Sequence, residues 1–95
     1  MYIYEVNIQI SKSIYKTYLQ WLNSHAIDML KNPGFNNFKI YEVDKEDTIC
    51  VHYYIDGIDN LNYYLDNNSK SMRSKGMSEY KEQVTIKRRI LKLKK

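Results

Sequence analysis

The chain opens on strict alternation. Residues 2–10 set Tyr2, Tyr4, Val6, Ile8 and Ile10 against Ile3, Glu5, Asn7 and Gln9, a period of two that predicts a strand with two unlike faces. Ser11 or Ser13 can then cap a helix in which Ile14, Tyr15, Tyr18, Leu19, Leu22, His25, Ala26, Met29 and Leu30 recur at spacings of three and four. Asn32-Pro33-Gly34 ends it, because proline cannot continue a helix and glycine accepts the backbone angles of a helix exit. Alternation resumes with Phe38, Ile40 and Glu42 against Lys39, Tyr41 and Val43. The polar segment 44–47 predicts a hairpin connection to a third strand at about 48–56, where Ile49, Val51, Tyr53 and Ile55 oppose Cys50, His52 and Tyr54. After Gly57 the pattern turns helical again through Ile58, Leu61, Leu65 and Met72, with a break expected at Asn67-Asn68-Ser69 and an end at Gly76. Residues 82–93, with Val84, Ile86, Ile90, Leu91 and Leu93, predict a last strand.

The order β-α-β-β-α-β defines an α+β, ferredoxin-like domain: a four-stranded antiparallel sheet with two helices on one face. The first and third strands lie at its centre. They turn Tyr4, Val6, Ile8, Val51, Tyr53 and Ile55 toward the helices and leave Glu5, Asn7, Gln9, Cys50, His52 and Tyr54 on the opposite side. A sheet face carrying large side chains needs a cover. A second copy's sheet would provide one, giving a dimeric α/β barrel with a partly polar cavity between the sheets.

Composition narrows the picture without naming a function. A chain of 95 residues, 43% hydrophobic and 27% charged, reads as one domain over residues 1–95. So short a chain buries roughly 60–65% of its unfolded surface, which also favours a homodimer. No run reaches the roughly 20 apolar residues of a membrane span, and MYIYEVNIQI does not read as a leader, so a cytoplasmic location is expected. Cys50, the single cysteine, excludes an internal disulfide and reads as a small buried strand residue. The net charge of +4 is concentrated in a basic end at about 87–95, which reads as a solvated edge strand. Most of the ten tyrosines fall on predicted core faces and are not interleaved with basic residues, so nucleic acid is not the expected partner.

Several short pieces, in order, resemble the bacterial domain-of-unknown-function family 4286. They are Tyr4-Glu5-Val6-Asn7, Trp21-Leu22 followed by His25, Met29-Leu30, Pro33-Gly34-Phe35, Val51-His52-Tyr53-Tyr54, Tyr64-Leu65, Met72-Arg73 and Arg88-Arg89. The resemblance implies the dimeric α/β-barrel fold and a homodimer, and it brings no assigned reaction. Related barrels include antibiotic-biosynthesis-type monooxygenases, haem-degrading enzymes and ligand-sensing domains of regulators, so function stays open. Asn7 is similar to an asparagine on the first strand of the haem-degrading branch. That branch's later tryptophan and histidine have no counterpart here, where Tyr53 or Tyr54 and Met72 stand.

Two histidines are candidate catalytic residues. His25 can move protons near neutral pH, with Trp21 one turn before it; His52 shares a predicted face with Glu5 and Asn7 and points toward Tyr41. Glu5, Asn7, Trp21, Tyr41, Tyr54 and Arg73 are the candidate ligand-binding set, and a small apolar or aromatic molecule between the sheets is the expected ligand. Arg73, Arg88 and Arg89 can bind an anionic ligand through bidentate contacts or pair with acidic residues such as Glu42 across the dimer, and the pairing is the expected role. The histidines lie on different elements with no Asp/Glu pattern at metal spacing, so no metal site is expected. No phosphate-cradling loop or nucleophile elbow is present, and no cofactor is called for. The reading is a homodimeric small-molecule-binding or interaction protein; the alternative is a cofactor-independent monooxygenase acting on a quinol-like or aromatic substrate.

Overall fold

A computed structural model describes residues 1–43, 47–70 and 82–94. Strand β1 (Tyr2–Ile10) leads through a 3-10 turn (Lys12–Ile14) into helix α1 (Tyr15–Met29); β2 (Phe35–Glu42), β3 (Thr48–Ile55), α2 (Ile58–Tyr63) and β4 (Val84–Lys92) follow. The strands form one sheet in the order β2-β3-β1-β4 with every neighbouring pair antiparallel. This is the expected α+β arrangement, with β1 and β3 central. Met72, Arg73 and Gly76 lie outside the described residues, as does most of the acidic connection between β2 and β3.

Register follows from alternation. On β1 and β3, Tyr4 faces Tyr53, Val6 faces Val51 and Ile8 faces Ile49, and all but Val6 are buried. Helix α1 lays Tyr18, Leu22, Ala26 and Met29 over them, one residue per turn along a single stripe. Ile8, Met29, Ile49, Val51, Ile55 and Leu61 are the largest fully buried side chains of this core. Each such aliphatic side chain contributes about 1.5–3 kcal/mol by leaving water.

Four details depart from the sequence reading. No serine caps α1: the 3-10 turn intervenes, with the Ile14 N–H donating to the Ser11 carbonyl at 3.1 Å, and neither turn nor helix has a side-chain cap at its N-terminus. Strand β2 begins earlier than its alternation indicates, at buried Phe35, because a register shift between Phe35 and Asn37 breaks the period of two. The segment 67–69 does not break the second helix. Its backbone widens instead into a π-helical turn (Tyr64–Asn68), and Asn67 and Ser69 donate back to the carbonyls of Tyr63 and Leu65 at 3.0 Å each. Finally β4 spans 84–92 rather than 82–93.

The exit from α1 shows why its glycine is needed. Asn32 caps the helix by donating from Nδ2 to the Met29 carbonyl at 2.8 Å, and it accepts from Asn68 at 2.9 Å, tying the ends of the two helices together. Gly34 follows at φ +79°, and a Cβ there would run into the Asn60 side chain. Gly34→Ala is expected to cost about 1–3 kcal/mol, read as a lower urea midpoint with an unchanged slope.

Candidate functional site

Two groups of polar and aromatic residues lie on opposite sides of the sheet. The first surrounds a small cleft between α1 and the sheet, with a cavity volume of about 50 Å³ and a mouth open to solvent. Trp21 and His25, one turn apart on α1, form one wall with their rings stacked at 4.6 Å and 14°. Tyr4 and Tyr53 from the central strands, Tyr64 from the π-helical turn and Arg88 from β4 form others. Val6 sits opposite Arg88 in the β1–β4 register, which brings a cation to an otherwise apolar floor.

The phenols give this cleft its polarity. Tyr4 packs against Tyr53 and Tyr64 at centroid distances of 6.3 and 5.7 Å. Burial pushes the Tyr53 hydroxyl far above the ordinary tyrosine range, and the neighbouring phenols of Tyr64, Tyr4 and Tyr18 add to the shift while Arg88 opposes it. The Tyr53 phenol is therefore neutral at physiological pH and able to donate. Tyr4 is 3% exposed, and its hydroxyl has no hydrogen-bond partner among the described residues. A buried hydroxyl without a partner is costly, and this one stands in the wall of a cleft.

The second group lies on the open face. Glu5 is 4% exposed and anchors it. Its Oε1 accepts from Asn7 Nδ2 at 2.8 Å and from Arg89 Nε, and its Oε2 is 2.8 Å from His52 Nε2. A carboxylate can only accept, so His52 donates through Nε2. Arg89 holds the Glu5 carboxyl down at about 2, against an ordinary 4.5; burial opposes the shift, and Asn7 and His52 reinforce it. Tyr41 and Tyr54 flank the His52 ring edge-on at 5.2 and 6.5 Å, and Lys39 lies 5.7 Å from the Tyr54 ring centre. Half-buried Cys50 completes the group, its thiol pushed up by burial and by the charge and hydrogen bond of Glu5.

The candidates read from sequence thus divide. Glu5, Asn7, His52, Tyr41 and Tyr54 come together on the open face, whereas His25 and Trp21 stand across the sheet in the cleft; Arg73 lies outside the described residues. Tyr4, Tyr64 and Arg88 were missed as cleft residues. Alternation had already turned Tyr4 toward the helices, but Tyr64 owes its position to the π-helical turn, which has no sequence signal. Within the chain Arg89 pairs with Glu5 of the adjacent strand, which the β1–β4 register sets opposite it. Cys50, read as a buried small residue, is only half-buried and sits beside Glu5 on the open face.

An antiparallel β2-β3-β1-β4 sheet with its helices enclosing an aromatic cleft defines a small ferredoxin-like α+β protein. Its sequence matches the family model described as Domain of unknown function (DUF4286) over residues 1–94, and the chain belongs to that family. No curated protein matches it. Solved structures share the fold. A putative antibiotic biosynthesis monooxygenase from Deinococcus radiodurans superposes with a TM-score of 0.78 at 12% identity, covering 100% of this chain and 94% of that one. A mutant form of SnoaB, a cofactor-independent oxygenase from Streptomyces nogalater, gives 0.75 at 10% identity over 99% and 94%. A conserved protein of unknown function and possible oxidoreductase from Bacteroides thetaiotaomicron gives 0.75 at 10% identity over 97% and 96%.

Proposed function

We propose that the protein binds a small, flat aromatic molecule bearing an oxygen substituent in the cleft between α1 and the sheet. The observation that carries this reading is the buried Tyr4 hydroxyl, left without a partner in the wall of a cleft lined by aromatic rings. A ligand oxygen would satisfy it, and the apolar floor would take the ring system. Arg88 favours ligands with anionic character, such as phenolates. Trp21 is the single tryptophan, so occupancy reads directly from its fluorescence. Titration with naphthols and naphthoquinols is expected to change Trp21 emission saturably and to raise the melting temperature. Loss of both responses across the panel would sink the reading.

A second reading adds chemistry at the same place: oxygenation without a cofactor, with His25 taking a proton from the bound phenol so that the carbanionic form reacts with oxygen. It is favoured by His25 standing in the cleft wall and by the shared fold with an oxygenase that works without a cofactor. Oxygen uptake with naphthoquinols is expected in the wild type, falling at least tenfold in His25→Ala. Uptake unchanged in that variant would leave binding alone.

A homodimer through the open face is part of the same proposal. That face carries Ile3, Tyr54 and Leu91 with Tyr41, which is 43% exposed, and a second copy would remove them from water. Sedimentation at micromolar concentration is expected to give twice the chain mass, and a monomer there would reject it. Among the described residues no helix is long and apolar enough to cross a membrane.

A further inference from the structure

The geometry points to a second site, separate from the cleft, in which Glu5, Cys50 and His52 bind a borderline-soft divalent cation of the Zn2+ class. The three residues come from two adjacent strands. Cys50 and His52, two apart on β3, share the open face, and the register sets Glu5 directly across from His52 and Asn7 across from Cys50. Their ligand atoms, a thiol sulfur, an imidazole nitrogen and a carboxylate oxygen, lie within 4.8 Å of one another. Among the described residues this is the one group of three such donors. Only the Cys50–His52 spacing is visible in the sequence, because strand pairing alone brings Glu5 to the other two.

The arrangement around Glu5 leaves room for the ion. Asn7 and Arg89 both bond to Oε1, whereas Oε2 faces His52. An ion inserted between Oε2 and His52 Nε2 takes the place of one hydrogen bond, and Asn7 and Arg89 continue to orient the carboxylate from its other oxygen. Zinc bonds of about 2.0–2.2 Å at a tetrahedral angle hold such atoms about 3.4 Å apart, so the present 2.8 Å must open by about half an ångström. On binding, Cys50 releases its thiol proton to solvent, and the proton that His52 Nε2 donates to Glu5 moves through solvent to Nδ1, which frees the Nε2 lone pair for the ion. Thiolate and carboxylate together balance the charge of the ion, and water fills the fourth position. One sulfur and one imidazole select zinc-like ions over Mg2+ or Ca2+, which require oxygen ligands. Lys39 and Lys87 on the same face, with Arg89, hold the affinity below that of closed four-ligand sites.

Cobalt reports on the thiolate directly. Titration of the purified full chain with Co2+ alone is expected to give a sulfur-to-metal absorption band in the near ultraviolet that saturates at one ion per chain and is displaced by Zn2+. Calorimetry with Zn2+ alone should show affinity at least 100-fold weaker in Cys50→Ser and in His52→Gln, both checked for an unchanged circular dichroism spectrum. A wild-type Co2+ spectrum without that band overturns the proposal whether or not the variants fold. Zn2+ affinity that survives both substitutions overturns it too.

Discussion

Replacing Glu5 by glutamine is expected to lower the free energy of unfolding by about 2 kcal/mol, even though the two side chains have almost the same shape. The carboxylate receives three donors, from Asn7, Arg89 and His52. A glutamine offers one accepting oxygen; with that oxygen toward Asn7 and Arg89 its amide nitrogen faces His52, whose ring must change tautomer to accept, and with the group turned over the nitrogen meets the Asn7 and Arg89 donors. The loss stays moderate because the Arg89 side chain is 68% exposed and recovers water when released. The same change alters the response to acid. Glu5 holds its proton only near pH 2 in the folded chain, against 4.5 for an ordinary glutamate, so the unfolded chain binds more protons between those values. The stability due to Glu5 is complete above about pH 5 and is lost as pH falls toward 2. Urea unfolding from pH 7 to pH 2.5 is expected to show a steeper acid loss in the wild type than in Glu5→Gln. Parallel curves would mean that the open-face network does not stabilise the fold.

Tyr4→Phe should have opposite effects on stability and binding. In the unliganded protein the substitution removes a buried hydroxyl that lacks a partner, so stability should stay the same or rise by up to about 1 kcal/mol. The ring remains in contact with Tyr53 and Tyr64, so packing is preserved. Binding of a naphthol should weaken about tenfold, the value of one hydrogen bond to a ligand oxygen. A merely structural role for the hydroxyl predicts lower stability with affinity unchanged. Thermal melts with and without naphthol, together with Trp21 fluorescence titration, separate the two.

The sheet and its faces were legible because the alternation on the central strands is unbroken: every residue from Glu5 to Gln9 and from Ile49 to Tyr54 lies on the face its parity assigns. Parity also brought Glu5, Asn7 and His52 together before any distance was known. It does not say how one strand slides against another, so the Glu5–Arg89 pair depended on a register that sequence pattern leaves open. The cleft was harder still. It requires Trp21 and His25 on α1, Arg88 on an edge strand, and Tyr64 carried in by a π-helical turn. A helical wheel places Tyr64 beside the apolar stripe, yet the structure buries it completely against Tyr4 and Phe35. The open face was read as the side of an inter-sheet cavity from its polar residues; within one chain Glu5, Asn7 and His52 bond to one another there, and the unpartnered Tyr4 hydroxyl lies on the other side of the sheet.

The most direct test of the central claim is a two-dimensional NMR titration of the labelled protein with 2-naphthol. The largest shifts are expected at the Trp21 indole, the His25 ring and the amides around Tyr4 and Arg88, with Glu5, Cys50 and Tyr54 little changed. Shifts confined to Glu5, His52 and Tyr54 would move the binding site to the open face and contradict the account.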